Sequence, residues 1–171
     1  KHGSQPLTEV EFSRIIFIAE KNTYVSSKRH GTVIDKRISA RESYIEKVMG
    51  FVDLRSLKPL KIVINSGNGA AGPTVDALKQ KMEDESVETN FVYANHDPDS
   101  LFPNGIPNPM LDANRSLTTN VVISEKADFG VAFDGDFDRC FLFDELGNFV
   151  PGEYVVGLLS EVFLRAEKGS T

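Results

Sequence analysis

Three aspartates alternate in Asp134-Gly135-Asp136-Phe137-Asp138-Arg139, between the apolar runs Phe129-Gly130-Val131-Ala132-Phe133 and Cys140-Phe141-Leu142-Phe143. Residues two apart in an extended or tightly turned segment point the same way, so the three carboxylates are expected to converge at a strand end. Like charges that close repel unless something positive lies among them. A hard divalent cation with oxygen ligands, Mg2+ above all, meets that need. Arg139 adds a fixed cation whose planar fork suits phosphate oxygens. A metal beside an arginine points to phosphoryl chemistry, with Asp134, Asp136 and Asp138 as metal ligands and Arg139 as the catalytic cation.

Other readings of the same residues compete. A solvated turn is the plainest, since Asp-Gly is common in hairpins. A third aspartate and an arginine squeezed between two apolar strands count against it. An EF-hand also has acidic first, third and fifth positions, and Glu145 even falls at the twelfth; but its sixth position needs Gly for the sharp bend and here holds Arg139. The Asp-x-Asp nucleophile of haloacid-dehalogenase-like phosphotransferases follows an apolar strand too. There Asp134 would attack phosphorus and Asp136 would serve as acid/base. That motif usually stands near the start of its domain, whereas only 33 residues follow Asp138.

Gly67-Asn68-Gly69-Ala70-Ala71-Gly72 has the G-x-G-x-x-G spacing of a dinucleotide turn. The acidic residue such a site needs after the next strand is missing: Ala94 and Asn95 stand there, and Asp97 comes late. A tight strand-to-helix turn whose glycines allow close packing is the favoured reading. His96, in Asn95-His96-Asp97-Pro98-Asp99, has the chemistry of a ligand or proton carrier, but a structural role is favoured. Cys140 is expected to be a buried thiol in an apolar strand. His2 and His30 carry no pattern, and Lys28-Arg29-His30 reads as a surface loop.

The elements that must position these residues follow from periodicity and punctuation. Thr8 and Glu11 have capping-box spacing, opening a helix to Asn22. The mixed stretch 26–39 reads as a linker. Ser39 to Phe51 is expected as a second helix, and Leu60–Ile64 as a strand. A helix after Pro73 leads to a strand over Glu88–Tyr93. Asn95 to Pro109, with Pro98, Pro103, Pro107 and Pro109, is a long loop of the kind that often carries function. Helices are expected over Met110–Glu125 and Gly152–Lys168, strands over Phe129–Phe133 and Cys140–Asp144, and a hairpin turn at Glu145–Asn148. This alternation predicts an α/β fold, a three-layer α/β/α sandwich with a mixed, mostly parallel sheet and Cys140's strand antiparallel at an edge.

Composition bounds the rest. The 171 residues are 40% hydrophobic, enough for a true core, and the net charge of −6 argues against nucleic acid and anionic membranes as main partners. One cysteine permits no internal disulfide, which fits a reducing cytoplasm. No apolar run approaches the ~20 residues of a membrane span. Lys1-His2-Gly3-Ser4, without an initiator Met, and Gly169-Ser170-Thr171 are expected to be cuts in a longer chain.

The acidic stretch resembles the metal-binding loop of the α-D-phosphohexomutases, D-G-D-x-D-R. Ser43-Tyr44-Ile45-Glu46-Lys47-Val48 is similar to the helix opening that family's second domain, Gly67–Gly72 to its first strand-to-helix turn, and Phe102-Pro103-Asn104 to its central loop. Phe137 and Cys140 look most like the bacterial members that act on mannose phosphates; glucose or glucosamine phosphates are the sister readings. The resemblance implies a four-domain enzyme. Its first domain carries a phosphoserine in a Ser-His-Asn-Pro loop, and the second holds Mg2+ through Asp134, Asp136 and Asp138. On that scheme residues 1–38 are the tail of domain one plus a linker, 39–148 the metal domain, and 149–171 a truncated start of domain three. The implied reaction interconverts mannose 6-phosphate and mannose 1-phosphate through a bisphosphorylated sugar. The implied partners are the phosphosugar and the remaining domains. Because no Ser-His-Asn-Pro occurs here, the chain alone is expected to be inactive.

Overall fold

The computed structural model describes residues 3–26, 29, 31–167 and 169. His2, Lys28, His30 and Lys168 lie outside them, and with them the expectations attached to those residues. The chain divides into two compact units, Lys1–Asp35 and Lys36–Thr171.

Among the described residues the first unit holds one helix, α1 (Glu9–Lys21). Its start is the expected capping box: Thr8 Oγ1 accepts from the Glu11 amide at 3.3 Å, and the Glu11 carboxylate accepts the Thr8 amide at 2.9 Å. Asn22 ends it in the left-handed conformation at φ 52°. Val10, Phe12 and Phe17 of α1 are exposed.

The second unit holds ten elements, counting a single 3-10 turn at Leu54–Ser56: α2 (Arg37–Met49), β1 (Lys61–Asn65), α3 (Gly72–Asp84), β2 (Asn90–Ala94), α4 (Asp112–Glu125), β3 (Phe129–Phe133), β4 (Cys140–Phe143), β5 (Phe149–Val150) and α5 (Gly152–Ala166). The sheet order is β2-β1-β3-β4-β5. β1 pairs parallel with β2 and β3, while β4 pairs antiparallel with β3 and β5. With helices on both sides this is the expected open α/β fold. The antiparallel strand sits one place in from the edge, because Phe149–Val150 adds a β5 too short for any alternation to announce it. α2 begins two residues ahead of its expected Ser39, at Arg37 after Lys36, which makes no side-chain capping bond.

One cross-sheet row explains the core. Val92, Val63, Gly130, Phe143 and Phe149 are successive register partners across all five strands. α4 packs on this row with Val122, which is fully buried beside Val63 and Phe143. The missing side chain of Gly130 makes the room: a Cβ there would stand 2.6 Å from Val122 Cγ2. α2 packs against α3. The hairpin between β4 and β5 is tied to α4 by the Thr119 hydroxyl, which donates to the Gly147 carbonyl at 2.6 Å.

Candidate metal centre

β1, β2 and β3 run parallel, so the turns that follow them reach the same end of the sheet. The acidic stretch is the connection from β3 to β4. Its geometry is set by Asp134, which is 1% exposed. One carboxylate oxygen, Oδ1, accepts the backbone amides of Asp138 and Arg139, both at 3.1 Å. The other, Oδ2, accepts Arg139 Nε at 2.6 Å. The chain curls back because Phe137 takes a left-handed φ of 65°. Such a conformation is uncommon for a bulky residue and costs about 1–3 kcal/mol, a strain that surrounding contacts must hold. Here the Phe137 ring stands edge-on to Phe133 at 4.8 Å and to Tyr44 at 6.4 Å.

The loop brings Asp134, Asp136 and Asp138 together. Each can offer one carboxylate oxygen so that all three lie within 4.8 Å of one another, with Asp136 and Asp138 exposed. Their ionisation records the crowding. Burial pushes Asp134 up, but the backbone and side-chain hydrogen bonds from Arg139 outweigh it and leave its carboxyl below the usual range. Asp138 is pushed up, first by its contact with Asp134 and then by the charge of Asp136. Arg139 is held above its usual range, first by the hydrogen bond to Asp134. A second ion pair joins Arg139 Nε to Asp138 at 3.4 Å, with the Arg139 side chain 51% exposed. The donor set is all carboxylate oxygen, which suits a hard cation and no soft one. Asp134 Oδ1 accepts two amides and Oδ2 one guanidinium N–H, so one Oδ2 lone pair remains for a further contact.

The glycine turn is packed by protein rather than open to a dinucleotide. A Cβ on Gly67 would meet Pro107 at 2.4 Å, and one on Gly72 would meet the His96 carbonyl at 2.1 Å. Gly69 lies against the acidic loop itself: the Ala70 amide donates to the Gly135 carbonyl at 3.0 Å. An asparagine lattice, which the residue pattern alone did not disclose, ties these turns together. Asn104 donates to the side chains of Asn68 and Asn95, each at 2.9 Å, and Asn95 donates to Asn65 at 3.2 Å. The only hint in the sequence was the density of Asn, Gly and Pro in the Asn95–Pro109 loop.

His96 lies outside the carboxylate cluster. Its Nδ1 stands 3.2 Å from Ser66 Oγ and its Nε2 2.8 Å from Asp76. Ser66 is fully buried, so this trio joins β1, α3 and the Asn95 loop and offers no accessible nucleophile. Cys140, expected to be buried, is exposed as a residue, because β4 begins where the acidic loop leaves the sheet. Desolvation around its sulfur still pushes the thiol up, so it is a poor nucleophile.

Comparison with known proteins gives the family. Residues 42–147 match the family model described as phosphoglucomutase/phosphomannomutase, alpha/beta/alpha domain II. A phosphomannomutase of Vibrio cholerae is 43% identical over 171 residues, covering 99% of this chain and 36% of the relative. A phosphomannomutase of Salmonella typhimurium is 49% identical over 135 residues, covering 79% of the chain and 30% of the relative. The chain thus spans about a third of the length of the curated relatives it matches. Among solved structures, a phosphoglucomutase/phosphomannomutase family protein of Burkholderia thailandensis superposes with a TM-score of 0.72 at 24% identity, over 96% of this chain and 33% of that one; at that identity the likeness speaks for the fold. No helix among the described residues is long and apolar enough to cross a membrane. The model match over more than half the chain, joined to the strand-end acidic loop, places this protein in the phosphoglucomutase/phosphomannomutase family, whose alpha/beta/alpha domain II it carries.

Proposed function

We propose that this chain supplies the Mg2+-holding domain of a mutase that moves a phosphoryl group between the 6- and 1-oxygens of mannose phosphate, through a phosphoserine and a bisphosphorylated sugar. The observation that carries the reading is the gathering of Asp134, Asp136 and Asp138 oxygens within 4.8 Å. The residues fit the ion on physical grounds. The cluster is oxygen-only, and Asp138 is pushed up by its acidic neighbours, which a cation placed among them would relieve. Asp134, Asp136 and Asp138 would be the ligands. Bound there, Mg2+ would supply Lewis-acid withdrawal of charge from phosphoryl oxygens.

The chain's own residues do the positioning. Asp134 accepts the Arg139 guanidinium and two loop amides, so it sets both the loop's path and the direction of the arginine. Arg139, half-exposed at the mouth of the loop, would steady the phosphoryl oxygens as charge develops on them. The substrate and the serine that carries the phosphoryl group lie with the remaining domains of a cytoplasmic enzyme, and residues 39–148 form the metal domain between the tail of the first domain (1–38) and the opening of the third (149–171). Mannose is favoured as the sugar because relatives at 43% and 49% identity are named phosphomannomutases.

Calorimetric titration of the chain with MgCl2 tests this. Uptake in the millimolar range or tighter is expected, abolished by Asp136→Asn or Asp138→Asn, with no mutase turnover by the chain alone. Absence of uptake at several millimolar Mg2+ would remove the metal reading; turnover by the chain alone would remove the placement of the phosphoserine elsewhere.

A further inference from the structure

The acidic loop packs backbone against backbone on the glycine turn. Below it is Gly69. A Cβ built there would lie 2.6 Å from the Gly135 carbonyl oxygen, 2.9 Å from its Cα and 3.1 Å from its carbonyl carbon. These are backbone atoms, which cannot swing aside as a flexible side chain can. The backbone of Gly69 itself demands no glycine, because its φ lies outside the left-handed region where Gly67 and Asn68 sit. Space is therefore the reason for glycine at this position. Above the loop are Phe102 and Pro107. On that side a Cβ on Gly135 would fit at ordinary contact distance, 3.5 Å from the Phe102 ring and 3.6 Å from Pro107 Cγ, so the close approach is on the Gly69 side.

The seat beneath is also rigid. The Asn68 amide donates to the Asn95 carbonyl at 2.6 Å, its side chain donates to the Asp97 carbonyl at 2.9 Å, and the Asn104 side chain donates to it at 2.9 Å. Burial anchors Asp134 just before Gly135, at the end of β3, whereas Asp136 and Asp138 beyond it are exposed. Any shift of Gly135 must then be taken up between Asp134 and its two acidic neighbours.

We propose that Gly69 is a positioning residue for the metal centre: its side-chain-free seat under Gly135 sets where Asp136 and Asp138 stand relative to Asp134. This rests on the metal reading above for its consequence, though not for its geometry. Functional constellations need their groups within about 0.5 Å of the working arrangement. Relieving a 2.6 Å contact with backbone takes a movement of roughly that size. Loss of such outer support typically weakens metal affinity ~10–100-fold.

The test compares the full chain with Gly69→Ala and with Gly130→Ala, which overpacks the core at Val122 away from the loop. Mg2+ affinity is read by calorimetry, the loop by hydrogen exchange at the Asp138 and Arg139 amides, and the site by the electron paramagnetic resonance spectrum of bound Mn2+. Gly69→Ala is expected to weaken Mg2+ binding at least tenfold, broaden the Mn2+ spectrum and speed loop exchange. Gly130→Ala is expected to lower the melting temperature while leaving Mg2+ affinity within twofold. Equal affinity and exchange in Gly69→Ala overturns the proposal, and so does an equal loss of affinity in Gly130→Ala. If the unaltered chain takes up neither ion, the metal reading fails by itself, and unchanged exchange in Gly69→Ala still overturns the positioning role. If Gly69→Ala does not fold, Asn104→Ala decides, because it loosens the seat at Asn68 without inserting anything: a several-fold loss of affinity with faster exchange supports the proposal, and no change overturns it.

Discussion

Asp134→Asn isolates what the buried carboxylate does, because it keeps shape and volume and removes only the charge. The amide oxygen can still accept the Asp138 and Arg139 amides at their 3.1 Å positions. The amide nitrogen then faces Arg139 Nε, donor against donor, where a 2.6 Å charge-assisted bond stood. Hydrogen bonds to charged groups contribute about 1.5–3 kcal/mol. Arg139 is 51% exposed, so water recovers part of the loss, and a net cost of ~1–2 kcal/mol is expected. For a unit of this size that lowers the melting temperature by roughly 3–8 °C in metal-free buffer at pH 7. The pH dependence has a definite sign. Asp134 is held below its usual range when folded, so its stabilisation is present above the unfolded carboxylate value and fades as pH falls through the folded one. The gap between the melting curves of the two proteins should therefore close on acidification. Mg2+ should raise the melting temperature of the unaltered chain and leave the variant where it was. A variant that melts with the parent at pH 7, or a gap that widens in acid, would refute this account of the loop.

Two further outcomes concern parts remote from the carboxylates. Asp144 caps the β4–β5 hairpin: its Oδ1 accepts the amides of Leu146 at 3.0 Å and Asn148 at 2.7 Å, and Oδ2 accepts the Asn148 side chain at 3.0 Å. Those bonds, the Asn148 side chain first, hold it below the usual range, so Asp144→Ala should destabilise the unit above pH ~4 and progressively less below it, as acid-titrated melts will show. Val122→Ala should cost about 2–3 kcal/mol by urea denaturation, and Gly130→Ala about 1–3 kcal/mol; the double variant should cost clearly less than the sum, since the first empties the space at 2.6 Å that the second fills, and strict additivity would contradict the packing described.

What the residue pattern disclosed and what it hid follow from the range of each interaction. Thr8 with Glu11 specified a helix start because both partners of the cap lie within one turn. The strands around the acidic stretch were legible because apolar runs bounded by turn residues need no distant partner to be recognised. The convergence of the three aspartates was also anticipated, but by alternation along an extended segment. The structure reaches it by another route, with Asp134 drawn inward to accept the Asp138 and Arg139 amides while Phe137 turns left-handed at φ 65°. Two-residue alternation cannot foresee that one carboxylate is buried and two are exposed. β5 was missed because Phe149–Val150 gains its strand character from β4, not from itself. Cys140 was placed inside because an apolar run was assumed to be covered along its whole length.

The glycine contacts were hidden for a topological reason, and that reason accounts for the site's neighbourhood. Because β1, β2 and β3 run parallel, the Gly67–Gly72 turn, the Asn95–Pro109 loop and the acidic loop must all leave the sheet at one end, side by side. Connections crowded onto one edge cannot all carry side chains where they touch. Gly67 yields to Pro107, Gly72 to the His96 carbonyl and Gly69 to Gly135, each at a distance no Cβ could tolerate. Where side chains do remain, they are short amides that pair with one another, as Asn104 does with Asn68 and Asn95. A loop that must hold three like charges together needs a base that does not give way. The parallel order of the strands packs the backbone of the glycine turn against that of the acidic loop, at Gly69 and Ala70 against Gly135.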